Sequence, residues 1–381
     1  MAGRILKNTV LILALSGAVL VAAYAKGEDV GLIPELKLFS KAINVINEAY
    51  VGDVTPRALL YEGIRGMLVS LDKYCLFIDP KLYQLLKIHM KGEYAGVGIV
   101  LQKMDHYPGV RDIKPGSAAA KAGVAPQDKI LKIDGISMEN KELFEVAELL
   151  RGEAEKPVRL TLWRPVNAQT FDLEIKREKI QIDTVLDARM VTKRIGYFRI
   201  SNFSENTATQ ADSAIRQLAS KGMGALIIDL RNDDGGLLPQ AVAMAERFLP
   251  EGKKIVSVKS KIAEQRKEYF SSGKNKLPEY RLVILVNHKT ASASEIFTAA
   301  MQDYKRATVI GTQTYGKASV QSVIPLDEES AMKLTTARYQ SALGRGIDGV
   351  GLWPDEIVDP SPEGGPDLPL LKALEVLKDF Q

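Results

Sequence analysis

The chain has 381 residues, 46% of them hydrophobic and 26% charged, and its formal net charge is +4 at pH 7. This composition excludes a disordered or low-complexity protein, and the length allows two or three domains. The small net charge argues against nucleic acid as the main partner, and the single cysteine, Cys75, excludes an intramolecular disulfide.

The N-terminus has the pattern of an export signal. Arg4 and Lys7 precede an apolar run over residues 9–21, and residues 23–25 have the small-x-small form of a signal-peptidase site. We therefore predict that residues 1–25 are a signal peptide, with an uncleaved membrane anchor as the alternative. In both cases the protein is exported, either into the periplasm or to the outer face of the cytoplasmic membrane, where the N-terminus is its membrane contact.

Residues 30–90 are predicted to form a helical region. Thr55-Pro56 supplies an N-cap and a first-turn proline for a helix that continues through Leu71, and Asp79-Pro80 begins another in the same way. An earlier helix is indicated by the 3–4 spacing of Leu36, Phe39, Ile43, Ile46 and Tyr50. These apolar stripes must pack on a later domain or on a second protomer, so a homodimer or higher oligomer is one expected arrangement.

Residues 91–165 contain a compact unit that resembles a PDZ domain. It opens with Y-A-G-V-G-I and continues with an amphipathic helix from Lys141 to Arg151 and a closing strand, Val158 to Trp163. Glycines allow successive backbone N–H groups to converge on a carboxylate, and the adjoining strand edge can accept an extended peptide. We predict carboxylate binding by the amides of Gly96, Val97 and Gly98, with a purely structural glycine-rich hairpin as the alternative.

Strands and helices alternate through residues 166–360, and a short helical tail occupies residues 361–381. The expected fold class is therefore α/β, within a multidomain α+β chain that also holds the N-terminal helices and the PDZ-like unit. The predicted elements of the core are the buried strands Ala225 to Leu230, Leu282 to Val286 and Thr308 to Gly311, and a helix from Leu238 to Leu249.

Two serines, Ser292 and Ser294, lie where a predicted strand becomes a helix. At such a corner a side chain is exposed above the sheet edge, and the free N–H groups of the helix can stabilise negative charge. The corner therefore suits the nucleophile of an acyl transfer. Residues two apart on a helix point roughly 200° from each other, so only one of the two serines can face a site.

A serine nucleophile needs a base. Of the three histidines, His288 lies in the turn just before Ser292, and neither His89 nor His106 lies beside an acidic or glycine-rich site motif. A Ser-His-Asp arrangement therefore has no local support. Lys317 lies in Y-G-K-A-S-V-Q without an adjacent carboxylate, and apolar burial lowers the pKa of a lysine towards the range of a general base. We predict a Ser-Lys dyad, in which Gln321 lies on the same face of an extended segment and holds the lysine amine.

Each of these residues also has an ordinary interpretation. Ser292 with Glu295 fits an S-x-x-E capping box. Lys317 alone is compatible with a solvated loop lysine, and Gln321 with a surface residue.

The motifs together resemble those of the carboxyl-terminal processing peptidases, also called tail-specific proteases. The resemblance rests on N-x-x-T-A-S-A-S-E-I, A-x-x-Q-D, R-A-x-x-I-G and Y-G-K-x-x-V-Q. It implies a PDZ domain joined to a crotonase-like α/β serine peptidase core. It also implies that Ser292 is the nucleophile, Lys317 the base and Gln321 the motif glutamine, and that Gly236 and Ala293 supply the N–H groups of an oxyanion hole.

The turn D-L-R-N-D-D-G-G departs from the D-L-R-x-N-P-G-G of that family. Asp233 stands in place of the asparagine and Asp234 in place of the proline. Two neighbouring aspartates also suggest a metal site, but without a histidine partner a solvated turn is favoured. We therefore predict no metal and no other cofactor.

The leading hypothesis is a secreted serine endopeptidase. It would bind protein substrates that have an accessible apolar C-terminus and cleave them upstream. The first alternative is a catalytically silent PDZ adaptor. A crotonase-like acyl-CoA enzyme is a further alternative, but it gives no reason for the PDZ-like unit or the export signal.

Overall fold

The computed structural model describes residues 32–80, 82–83, 92–327, 330–360 and 364–380. The predicted signal or anchor, residues 1–25, and His89 lie outside the described residues. Within those ranges, no helix combines the length and the apolar character that crossing a membrane requires.

The helix predicted to begin at Thr55-Pro56 is confirmed, whereas the helix predicted to begin at Asp79-Pro80 continues into residues that lie outside the described ranges. Thr55 Oγ1 accepts a hydrogen bond from the Ala58 N–H at 3.2 Å, and Pro56 occupies the first turn. The helices are α1 (Leu32–Ala49), α2 (Pro56–Val69), the single turn α3 (Ala118–Lys121), α4 (Leu143–Leu150), α5 (Thr207–Ser220), α6 (Leu238–Glu246), α7 (Ala293–Asp303) and α8 (Leu368–Val376).

The strands form separate sheets in the PDZ-like unit and in the core. In chain order they are β1 (Leu76–Ile78), β2 (Glu93–Gly96), β3 (Ile99–Met104), β4 (Tyr107–Ile113), β5 (Lys129–Ile133), β6 (Ile136–Ser137), β7 (Pro157–Arg164), β8 (Gln169–Lys176), β9 (Glu178–Gln181), β10 (Val185–Met190), β11 (Ile195–Ile200), β12 (Ala225–Asp229), β13 (Lys254–Ser260), β14 (Lys267–Phe270), β15 (Arg281–Val286), β16 (Thr308–Gly311), β17 (Ser319–Pro325), β18 (Ala331–Ser341) and β19 (Glu356–Ile357).

The core is built on a six-stranded sheet in the order β10-β11-β12-β15-β16-β19. All neighbours run parallel except β10, which is antiparallel to β11. Helices α5, α6 and α7 cover one face, and α8 covers the other. This double covering explains why β12 and β15 are nearly continuous apolar runs, and it confirms the predicted α/β class.

A second, antiparallel sheet joins the N-terminal region to the core. Its order is β1-β18-β13-β14, and β17 also pairs with β18. β1 pairs with the first half of β18, from Leu76 opposite Lys333 to Ile78 opposite Ala331. The N-terminal region is therefore hydrogen-bonded to the same strand as β17.

The helices of the N-terminal region are unequally buried. α2 packs on β1 in a small apolar cluster that includes Leu68, Cys75 and Phe77. α1, in contrast, has no buried residue. Its exposed large apolar side chains are Leu32, Ile33, Leu36, Leu38, Phe39, Val45 and Ile46.

The PDZ-like unit is a sheet in the order β3-β4-β5-β7-β8, with β6 paired to β5. β8 pairs with β7 along its whole length, from Pro157 opposite Lys176 to Arg164 opposite Gln169. The sheet thus extends past residue 165, the predicted end of this unit. β2 and β9 pair with each other and lead into and out of the unit.

Candidate active site

Three turns meet at the carboxyl ends of β12, β15 and β16, where open parallel sheets place their sites. The turns after β12 and β15 are tied by reciprocal side-chain bonds, since Asn287 donates to Asn232 Oδ1 and accepts from the Asn232 N–H, both at 3.0 Å. The Ala291 N–H also donates to the Asp233 carbonyl at 3.0 Å. The serine turn is therefore fixed against the glycine turn.

Ser292 occupies the N-cap of α7 with φ 57° and ψ −117°. A non-glycine residue in this region is strained, and such strain is typical of a nucleophile on a sharp strand-to-helix turn. Its side chain faces a cavity of about 360 Å³. Ser294 is fully buried and does not line that cavity, so the geometry separates the two serines that the sequence leaves together.

The cavity brings together five residues predicted for the active site. Its lining includes Gly236, Ser292, Ala293, Lys317 and Gln321. They come from three separate turns, the first residue of α7 and one strand.

Gly236 and Ala293 each present an N–H group that donates to no residue in the described part of the chain. Gly236 has φ 143°, and a Cβ there would lie 2.2 Å from the Phe203 carbonyl oxygen. At Gly235, with φ 101°, a Cβ would lie 2.8 Å from the Ala293 nitrogen. Only glycine fits at these two positions, and the close approach holds one free N–H near the other.

Lys317 is half-buried beside the serine turn. Burial, and then the charge of Lys333, lower the pKa of Lys317, against weaker opposing effects of Asp234, Tyr315 and Glu295. Its ammonium lies 5.0 Å from the centre of the Tyr74 ring and forms no ion pair with any described residue. A lysine in this setting has a larger neutral fraction near neutral pH than one in water.

Gln321 lies in the cavity but does not hold the lysine as predicted. Its amide nitrogen donates to Ser319 Oγ at 2.8 Å and to Thr335 Oγ1 at 3.3 Å. β17 begins only at Ser319, so Lys317 precedes the strand, and the alternation used for the prediction does not extend to it.

Glu295 has a larger part in the site than its capping motif suggests. This fully buried carboxylate accepts hydrogen bonds from the N–H groups of Ser292, Gly316 and Lys317, at 2.8–2.9 Å, and from the Thr314 hydroxyl. Burial raises the pKa of Glu295, and these bonds oppose the rise. The carboxylate therefore joins the nucleophile turn to the lysine turn.

Tyr339, on β18, was missed by sequence reasoning. Its buried hydroxyl contacts the carbonyl oxygens of Ser292 at 2.9 Å and of Lys317 at 2.5 Å. Nothing in the strand pattern of A-R-Y-Q-S marks it, because both contacts are long-range.

Asp233 corrects the prediction of a solvated turn. Asp234 is exposed, but the Asp233 side chain has no exposed surface. Within the described residues no cluster of His, Cys, Asp and Glu has the form of a metal site.

The predicted carboxylate loop lies at a groove between β3 and α4. The groove holds about 50 Å³ beside Gly96, Val97 and Gly98, and its apolar walls are Ile99, Leu101, Ala147 and Leu150. The N–H groups of Val97 and Gly98 donate to no described residue, whereas Gly96 is paired with Glu178 in the β2–β9 ladder. β3 is an edge strand of its sheet, which leaves one side open to an added peptide strand.

Comparison with known proteins identifies both parts of the chain. Residues 194–358 match peptidase family S41, and residues 109–164 match the PDZ domain. A carboxy-terminal-processing protease of Bartonella bacilliformis is 35% identical over 86% of this chain and 76% of its own length. The carboxy-terminal processing protease CtpA of Bacillus subtilis is 34% identical over 83% and 67%, respectively. A solved photosystem II D1 C-terminal processing protease is 30% identical over 84% of this chain and 92% of its own, with a TM-score of 0.47.

Proposed function

Because the chain belongs to the carboxy-terminal-processing proteases of peptidase family S41, we propose that it cleaves peptide bonds with a Ser292-Lys317 dyad. One observation carries the proposal. A strained serine, a half-buried lysine and two backbone N–H groups line a single cavity, and among the described residues the lysine has no ion-pair partner and the N–H groups have no acceptor.

The reaction begins when the neutral Lys317 amine takes the proton of Ser292 Oγ as the oxygen attacks the substrate carbonyl carbon. The resulting oxyanion accepts hydrogen bonds from Gly236 and Ala293, at the positive end of α7. The Lys317 ammonium then gives its proton to the leaving amine nitrogen, and an acyl-serine remains. Water, deprotonated by the same lysine, attacks that ester and releases Ser292.

Glu295 and Tyr339 are proposed as positioning residues. Glu295 does not line the cavity, whereas Tyr339 does, and each is bonded to both the serine turn and the lysine turn. Rapid proton transfer needs the two side chains within hydrogen-bond reach, and these shared contacts hold the turns at a fixed separation.

The direct test is cleavage of an unstructured reporter with an apolar C-terminus by the purified protein and by its Lys317→Ala variant. We expect cleavage by the first and not by the second. Binding of the reporter without cleavage by either protein would instead favour the silent PDZ adaptor.

We propose that the PDZ groove selects substrates by their terminal carboxylate. Amidating the C-terminus of the reporter removes the charge that the free N–H groups of Val97 and Gly98 would meet. We expect a loss on the order of 1–3 kcal/mol in apparent binding. Steady-state kinetics on matched free-acid and amide peptides measure it, and equal kcat/KM values for the two would contradict carboxylate recognition.

Amidating the substrate tests carboxylate recognition without disturbing the fold, whereas substitutions in the Gly96–Gly98 loop would disturb it. Gly98 has φ 87°, and a Cβ at this position would lie 2.3 Å from Ser117 Cβ. A Gly98 variant therefore risks misfolding the domain. Val97 is only 1% exposed and belongs to the apolar core of the sheet, so a larger side chain there would disturb packing.

We propose that the exposed apolar stripe of α1 pairs with a second copy of the chain. None of the residues of α1 is buried by the part of the chain that the structure describes, and an exposed apolar stripe of this kind is typical of an interface. The double variant Leu36→Glu/Ile46→Glu should be smaller in solution than the wild type by light scattering, whereas the control Lys37→Glu should not. A wild-type protein that is monomeric at micromolar concentration would contradict the pairing.

We also propose that residues 1–25 direct export. The expected result is that the mature protein from a bacterial host begins after Ala25, which N-terminal sequencing determines. A mature protein that begins at residue 1 and fractionates with membranes would support the uncleaved anchor instead.

A further inference from the structure

Asp233 places a carboxyl group in the interior of the active-site turns. Its side chain has no exposed surface. Oδ1 accepts a hydrogen bond from the Gly235 N–H at 2.9 Å, and the backbone carbonyl accepts one from Ala291 at 3.0 Å. The residue thus lies between the glycine turn, which presents the Gly236 N–H, and the turn that ends at Ser292.

The other carboxyl oxygen, Oδ2, has no hydrogen-bond partner among the described residues. Ser294 Oγ also has no hydrogen-bond partner among the described residues. It is fully buried and lies close enough to the Asp233 carboxyl to lower its pKa. Two orphaned polar groups therefore face each other across the junction of the glycine turn and the first turn of α7. Buried polar groups rarely stay unpaired, because each loses its bonds to water.

The protonation state of Asp233 decides which of these two groups donates the hydrogen bond. Burial is the main effect and raises the pKa of Asp233 to about 8, with a smaller rise from Asp234. The Gly235 N–H, the Ser294 hydroxyl and Arg199 favour the charged form and oppose this rise. At neutral pH the group is mostly a carboxylic acid, whose O–H can donate to Ser294 Oγ after a small rotation of either side chain.

We propose that Asp233 works as a neutral carboxylic acid that donates to Ser294 and so fixes the oxyanion turn, Gly235 and Gly236, against the start of α7. It is a positioning residue and does not touch substrate. Its effect on catalysis rests on the proposed protease activity. When Asp233 ionises, the Ser294 hydroxyl has to become the donor, and a buried charge appears beside Asp234, which destabilises the turn that aims the Gly236 N–H.

Loss of a proton from Lys317 and loss of a proton from Asp233 then change the activity in opposite directions. Lys317 must be neutral, so activity rises with pH as it loses its proton. Asp233 must be protonated, so activity falls at high pH, by roughly tenfold for each pH unit above the higher of the two pKa values. The profile of kcat/KM is expected to have two limbs, and Asp233 sets the alkaline one.

Variants at Asp233 separate this role from simple packing. Asp233→Leu fills similar space without a donor and should lose activity at all pH values. Asp233→Asn keeps a neutral donor, so it should restore activity and lack the alkaline fall. The matched control, Asp234→Asn, changes the exposed neighbour and should keep the fall. An alkaline fall of unchanged midpoint in Asp233→Asn would overturn the proposal.

A second measurement does not depend on proteolysis. The unfolded carboxyl ionises near 3.8 and the folded one at about 8, so the folded state binds more protons between these values. Stability is then lost as pH rises through this window. In a Ser292→Ala background, the Tm advantage of Asp233→Asn over Asp233 should grow from about pH 4 to 8 and then stay constant.

Parallel Tm curves across this window would overturn the protonation of Asp233. A growing Tm difference, together with no cleavage by the protein that retains Ser292, would instead overturn the proposed protease activity and support the buried acid. If Asp233→Asn does not fold, infrared spectra of the Ser292→Ala protein decide: loss of a protonated-carboxyl band near pH 8 supports the proposal, and absence of the band overturns it.

Discussion

Ser292→Ala is expected to lower kcat by on the order of 10⁴-fold or more, while Tm stays close to that of the wild type. The variant removes one hydroxyl from the wall of an open cavity and leaves the bonds of the Ser292 N–H and carbonyl in place. Without the hydroxyl no acyl-serine forms. Reporter cleavage gives the rate, and circular dichroism on heating gives Tm.

Ser294→Ala is the matched control, since it removes the same group two residues away. Its hydroxyl is buried and off the cavity, so turnover should be reduced only partly. If Ser294→Ala were inactive and Ser292→Ala active, the nucleophile would be Ser294, and the proposed assignment of Ser292 would be wrong.

Lys317→Arg is expected to be as inactive as Lys317→Ala, with kcat lowered on the order of 10²–10⁴-fold in both. A guanidinium stays protonated at any pH of the assay and cannot accept the proton of Ser292. Restoring the positive charge therefore does not restore the reaction. Parallel pH profiles of kcat/KM for the wild type and the two variants measure the effect.

Lys333→Gln tests the same base through its neighbour. The charge of Lys333 lowers the pKa of Lys317. Activity requires neutral Lys317, so removing that charge should move the rising limb of the pH profile to higher pH while activity persists. An active Lys317→Arg enzyme, or activity lost to a chelator and restored by a divalent metal, would contradict the lysine mechanism.

Elements defined by local signals could be read from the sequence. Thr308–Gly311 has the predicted bounds, and β15 differs by one residue from the predicted Leu282 to Val286. The serine corner follows from the same signals, because an apolar run of strand length is followed by helix spacing. Helix α6 ends at Glu246, before the predicted Leu249, where apolar spacing continues although the backbone has left the helix.

The long-range contacts between residues of the candidate active site could not be predicted from local sequence signals. Tyr339 meets Ser292 across 47 residues, and Glu295 meets Lys317 across 22. No periodicity encodes such distances. Asp233 was misjudged for a related reason, since adjacent aspartates in a glycine-rich turn are usually solvated, and its burial depends on how the serine turn packs over it.

The pairing of β1 with β18 also places residues of the N-terminal region beside Lys317. Lys73 donates to the Tyr315 hydroxyl at 2.9 Å, and the Tyr74 ring covers the Lys317 ammonium. A fragment that begins at residue 92 would lose β1 and this cover of Lys317, and it would leave the N-terminal half of β18 as a bare edge on one side. Under the proposed mechanism we therefore expect the minimal catalytic unit to begin upstream of Lys73, outside the segments that match the PDZ domain and peptidase family S41.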